Sequence, residues 1–179
     1  MPSTLPSSRD YAPLIARAAR EGRTLPRAQA MQLACDLIWD AFGLASPGLT
    51  RNNQPTRISW IGFYEKAATD EMLLVCRRDK PACSPIGLHG MCGRSFLDSR
   101  PILIHDVATL GANYIACDPK DKSEAVVPMF NPDGTCWGVL DADSYEVGAF
   151  DDADIAGMTL LAEALGLSRP GLAGTVLLK

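Results

Sequence analysis

Apolar positions in this chain change their spacing twice, from helical to alternating and back to helical. Tyr11, Leu14, Ile15 and Ala18 recur at helical intervals, and Gly22 predicts the end of that helix. A second stripe, Ala30, Leu33, Ala34, Leu37, Ile38, Ala41 and Phe42, predicts a longer helix that stops near Gly43. Residues 45–56 are rich in Pro, Gly, Asn and Thr and read as a loop.

Beyond that loop the pattern becomes that of strands. Ile58–Tyr64 is aromatic and β-rich, and Met72–Cys76 is a short apolar run after a polar turn. Residues 79–93 read as a loop, Phe96 and Leu97 as a short helix, and Ile102–Val107 as a strand. An irregular stretch over 108–123 precedes two more strands, Val126–Phe130 and Cys136–Asp143. The turn Asn131-Pro-Asp-Gly134 joins them, its proline presetting one dihedral and its glycine accepting a positive φ. Asp151 is placed to cap a last helix whose buried side is Ile155, Met158, Ala162 and Leu165, with Gly166 as its stop. Helices at both ends enclosing strands joined by short turns predict an α+β fold, a central antiparallel sheet with helices packed on one face. Residues 1–9 read as a disordered leader, 10–168 as one domain and 169–179 as a C-terminal tail.

Composition narrows the function classes. The net charge of −4 argues against a nucleic-acid surface, which needs clustered Lys and Arg. No apolar stretch approaches the roughly 18 residues that span a bilayer, and the N-terminus lacks the apolar core of a signal peptide. A cytoplasmic, reducing location is expected, where 6 cysteines point to chemistry or metal binding rather than to structural disulfides.

Three of those cysteines, Cys83, Cys92 and Cys117, fall in segments punctuated by glycine and proline, where a thiolate is accessible. Cys35, in a helix, and Cys76 and Cys136, in or beside strands, are most simply core. Asp118 would oppose thiolate formation at Cys117 unless it points elsewhere. Asp141 and Asp143 alternate with Leu140 and Ala142 and so share one face of a strand. Two carboxylates so close tend to raise one pKa, giving a proton donor, or they bind an ammonium group; a solvated strand edge is the plain alternative. Trp60 and Tyr64 share a face with Gly62 between them, an aromatic wall beside a gap that suits a methyl-sulfur group, or ordinary core packing. Zinc held by the three cysteines with His89 or His105 is a competing use, although no C-x-x-C pair is present.

Trp60-Ile-Gly-Phe-Tyr64, Lys80-Pro-Ala-Cys83, Gly90-Met-Cys-Gly93, Ile115-Ala-Cys-Asp118, Ser123-Glu-Ala-Val-Val-Pro128 and Gly138-Val-Leu-Asp-Ala-Asp-Ser144 occur in this order. Together they resemble the free methionine-R-sulfoxide reductases, which are single GAF domains. The resemblance runs from about residue 57 to 165 and implies a GAF-like sheet around one pocket. It implies that Cys117 attacks, that Cys83 resolves and that Cys92 is a second or auxiliary thiol. Glu124, Asp141 and Asp143 would hold the amino group of a free amino acid and deliver protons, while Trp60 and Tyr64 would line the methyl-sulfinyl pocket. The implied substrate is free methionine-R-sulfoxide and the implied partner a thioredoxin-type reductant. No cofactor is implied, and family members often pair as homodimers. A non-catalytic GAF module that binds a small ligand, or senses oxidants through its cysteines, is the alternative.

Overall fold

The computed structural model describes residues 9–22, 24–46, 50–51, 54–67, 69–114 and 117–178. The expected leader, apart from Arg9, and the Ile115-Ala116 half of one motif lie outside the described residues. Both N-terminal helices form where their apolar stripes predict, α1 over Ala12–Glu21 and α2 over Arg27–Phe42. The expected loop after α2 contains a pair of two-residue strands, β1 (Thr50–Arg51) and β2 (Gln54–Pro55). Then follow β3 (Trp60–Lys66), β4 (Glu71–Arg78), β5 (Ile86–Gly87), α3 (Met91–Asp98) and β6 (Ile102–Ile104). A 3-10 segment over Val107–Asn113 leads to β7 (Ser123–Phe130) and β8 (Cys136–Ser144). Helix α4 (Asp152–Ala164) and β9 (Leu177–Leu178) close the chain.

Seven strands form one sheet in the order β5-β4-β3-β8-β7-β6-β9, antiparallel except where β9 pairs parallel with β6. Strand alternation then builds two cores. Ile61 and Phe63 of β3, Ala125 and Val127 of β7, and Leu140 and Ala142 of β8 pack with α1, α2 and α4. Trp60, Tyr64, Val126 and Val139 point the other way, into a smaller cluster with Cys92 of α3. Helices therefore cover both faces, not the single face that the sequence predicts, and this is why all eight residues of β7 are buried.

Asp151 caps α4 as expected, accepting from the N–H groups of Ala153 and Asp154, while the Asp154 carboxylate accepts from the Asp151 N–H. The loop expected over 79–93 is shorter than its glycines imply, because it holds β5 and the first turn of α3. Gly93 permits that turn: a Cβ there would meet the Leu88 backbone at 2.3 Å. Arg9 is fully enclosed, its guanidinium 2.8 Å from the Asp154 carboxylate and donating to the carbonyls of Ala149 and Thr56. Among the described residues no helix is long and apolar enough to cross a membrane.

Candidate active site

A cavity of about 70 Å³ opens on the α3 face of the sheet, lined by Tyr64, Met91, Cys92, Tyr114, Cys117 and the acids Asp121, Glu124, Asp141 and Asp143, among others. The sheet register assembles the acids. Asp141 and Asp143 share the β8 face as expected, and β7 pairs Glu124 directly with Asp143. Glu124 and Asp141 are 5% and 6% exposed, so their charges face little water.

Burial governs how these acids titrate. Desolvation lifts Asp141 from 3.8 to about 7, assisted by the nearby Asp121 charge and opposed by hydrogen bonds from Cys92 and Glu124. Asp121 is raised to about 6, again chiefly by desolvation, although the Ser59 hydroxyl donates to it at 3.1 Å. Glu124 and Asp143 are pushed well up by burial first and by the Asp141 charge second. One oxygen of Asp141, Oδ1, is buried without a hydrogen-bond partner. The pocket thus holds carboxyls that keep protons near neutrality, and it would welcome a cation.

Two sulfurs meet at the rim. Cys83 and Cys117 are exposed free thiols in hydrogen-bonding contact. Partial desolvation first, and that contact second, push Cys117 up to about 12. Asp118 points away from this sulfur: its carboxylate accepts from Lys80 Nζ and, at 3.0 Å, from the Tyr145 hydroxyl. The Lys80 contact leads in holding Asp118 down at about 2. Lys80 also donates to the Tyr145 hydroxyl, so one ammonium ties the Cys83 segment to the Cys117 segment.

Cys92 differs from its loop expectation. It lies in the first turn of α3, is buried, and donates to Asp141 Oδ2 at 3.2 Å. Burial, then the Asp141 and Glu124 charges, push its pKa well up, so it is a proton-holding neighbour of the acids and not an accessible thiol.

Among the described residues the group with metal-ligand spacing is Cys92, Glu124 and Asp141, within 4.8 Å of one another. Neither His89 nor His105 belongs to it, so the competing zinc set, three cysteines with a histidine, does not assemble among these residues.

The aromatic pair also departs from expectation. Tyr64 lines the cavity, but Trp60 is not among the lining side chains. The Trp60 ring folds over Gly62, where a Cβ would meet it at 2.4 Å, so the glycine gap is filled by the indole itself. Both aromatics hold the 80–83 segment instead, Trp60 Nε1 donating to the Lys80 carbonyl and the Tyr64 hydroxyl to the Cys83 carbonyl, each at 2.9 Å. Sequence reasoning missed Tyr114 and Asp121 in the lining, because no local pattern marks them.

The model of the GAF domain family matches residues 24–168. Free methionine-R-sulfoxide reductase of Saccharomyces cerevisiae is 32% identical over 138 residues, 75% of this chain and 71% of its own length. The chain belongs to this family, as a GAF domain. Among solved structures, free methionine-R-sulfoxide reductase of Neisseria meningitidis in complex with its substrate superposes with a TM-score of 0.73 at 26% identity, covering 94% of this chain and 98% of that one. A putative GAF sensor protein of Burkholderia vietnamiensis gives 0.72 at 29% identity, covering 94% and 95%. Within the GAF fold, this family member keeps the cavity, with Cys92, Cys117 and the four lining acids, on the face opposite α1, α2 and α4.

Proposed function

We propose that a single GAF-like unit over residues 10–168 reduces free methionine-R-sulfoxide to methionine in the cytoplasm, using its own thiols and no cofactor. One observation carries this reading. The cavity that Cys117 lines, with Cys83 against that thiol, is the one floored by carboxyls of raised pKa.

In this reading the α-ammonium of the substrate lies among Glu124, Asp141 and Asp143, and the uncapped first turn of α3 turns its N–H groups toward the α-carboxylate. Protein-bound methionine sulfoxide is rejected because its nitrogen is an uncharged amide. The methyl-sulfinyl group rests against Tyr64, with Trp60 as the backing that holds the 80–83 segment. Desolvation and the Cys83 contact lead in raising the Cys117 pKa, and an ammonium among the acids offsets the smaller contribution of the Asp141 charge, which favours the thiolate.

Cys117 then attacks the sulfoxide sulfur while a protonated carboxyl, Asp141 foremost, gives its proton to the oxygen. Oxygen passes to Cys117 as a sulfenic acid and methionine leaves. Cys83 displaces that oxygen as water, forming a disulfide, and a thioredoxin-type dithiol supplies two electrons and two protons to reopen it. Cys92 serves Asp141 by hydrogen bonding.

The purified chain with dithiothreitol or thioredoxin should convert free methionine-R-sulfoxide, leave the S epimer and peptide-bound sulfoxide untouched, and lose turnover in Cys117→Ser. Absence of turnover on free methionine-R-sulfoxide overturns the proposal. Similarity to a putative GAF sensor favours a second reading, a ligand-binding or oxidant-sensing module. Ligand binding that is unchanged by Cys117→Ser, in a parent without turnover, would select it.

A further inference from the structure

A second pair of thiols meets on the opposite face of the sheet. Cys35 of α2 and Cys76 of β4 lie 41 residues apart in sequence, yet their sulfurs are 3.8 Å apart. Cys76 stands across from Phe63 in the ladder and packs on the same core as Phe63, so the sheet separates it from Cys83 and Cys117. Sequence reasoning treats both as core filler, and Cys35, with no exposed surface, fits that description taken alone. Cys76 does not. It is partly open to solvent, its sulfur contacts Gln32 Oε1 at 3.5 Å, and the Asp36–Arg78 ion pair stands beside it.

We propose that Cys35 and Cys76 are a second redox dithiol, separate from the cavity, which a hydroperoxide converts to a disulfide stapling α2 to β4. The two sulfurs divide the work. Contact with Cys35 is the leading influence on Cys76 and draws its pKa down, while the same contact and burial push Cys35 well up. Cys76 is therefore the sulfur that meets oxidant, and Cys35 the sulfur that resolves.

As the Cys76 thiolate attacks the terminal peroxide oxygen, the O–O bond breaks and the departing alkoxide, or hydroxide from hydrogen peroxide, takes a proton to become an alcohol or water. Cys76 is then a sulfenic acid. Cys35 attacks that sulfur and gives up its proton, and the sulfenic oxygen leaves as water. Two thiols and one hydroperoxide become one disulfide, water and the corresponding alcohol or water. The sulfurs need only close from contact to the S–S bond length of about 2.0 Å. This inference does not rest on the proposed reductase activity.

The decisive chain carries Cys83→Ser, Cys92→Ser, Cys117→Ser and Cys136→Ser, and is treated with hydrogen peroxide under thiol titration and intact-mass analysis. Both remaining thiols should disappear together, with loss of two hydrogens, no added oxygen and full reversal by dithiothreitol. Adding Cys76→Ser should leave the Cys35 thiol unreacted. Oxygen retained on Cys76 while Cys35 stays free, or a covalent dimer, overturns the proposal. The unmutated chain provides a check independent of that variant's folding: after peroxide and alkylation, peptide mapping should find residues 35 and 76 cross-linked. Failure to find that peptide at a dose that consumes the Cys83 and Cys117 thiols also overturns it. Cys35→Ser should keep turnover in the reductase assay, so failure here and failure of the proposed function remain distinguishable.

Discussion

Replacing Asp141 by Asn tests the electrostatics of the cavity floor. The carboxyl is 6% exposed and its pKa is raised from 3.8 to about 7. Each pKa unit corresponds to about 1.4 kcal/mol, so ionising this group in the folded chain costs about 4 kcal/mol more than ionising it in the unfolded chain. A raised pKa leaves stability whole below the unfolded value near 4 and erodes it as pH climbs through 7. Asn keeps the shape, accepts from Cys92 and never ionises. It also lets Glu124 and Asp143, each lifted by the Asp141 charge, titrate lower.

Urea unfolding followed by tryptophan fluorescence at pH 5, 6.5 and 8, under reducing conditions and without ligand, reads the effect. The unmutated chain should lose stability steadily across this series, and Asp141→Asn should lose much less. With an m-value of about 2 kcal/mol per M, the midpoint of the variant at pH 8 should exceed that of the parent by about 1–2 M. Parallel pH slopes for the two proteins would refute the argument, since Asp141 would then not carry the buried proton.

Lys80→Met removes the ammonium that joins Asp118 to Tyr145; kcat in the proposed reaction should fall roughly tenfold, the equivalent of one charged hydrogen bond, with KM little changed in steady-state kinetics. Gly62→Ala drives a Cβ to 2.4 Å from the Trp60 ring and 2.9 Å from the Cys76 carbonyl, and should cost about 1–3 kcal/mol, read as a melting temperature several degrees lower. Arg9→Met strands the buried Asp154 carboxylate and should lower the urea midpoint by an amount worth about 3–5 kcal/mol.

The local periodicities carried most of the architecture. The stripe on α2, the alternation through β3 and β8 and the Asp151 cap all read directly from neighbouring residues, as does the shared face of Asp141 and Asp143. What escaped depends on distant partners. Gly90 and Gly93 bracket a segment of poor helix propensity, yet α3 forms there, with Gly93 lying against the Leu88 backbone where no side chain would fit. Glu124 enters β7 only because β8 extends to Ser144 and pairs with Ser123. Tyr114 and Asp121 reach the cavity through the irregular run between β6 and β7, whose path no periodicity encodes. The indole over Gly62 shows the same limit: spacing gives the face of a side chain, and tertiary hydrogen bonding to Lys80 sets where its ring lies.

Tyr64 grips the carbonyl of Cys83 and leaves its sulfur at the surface. In the proposed reaction, a bulky electron donor would therefore meet a sulfur already at the surface and would not have to enter the small-molecule cavity. The cramped interior would then set no limit on the size of the donor.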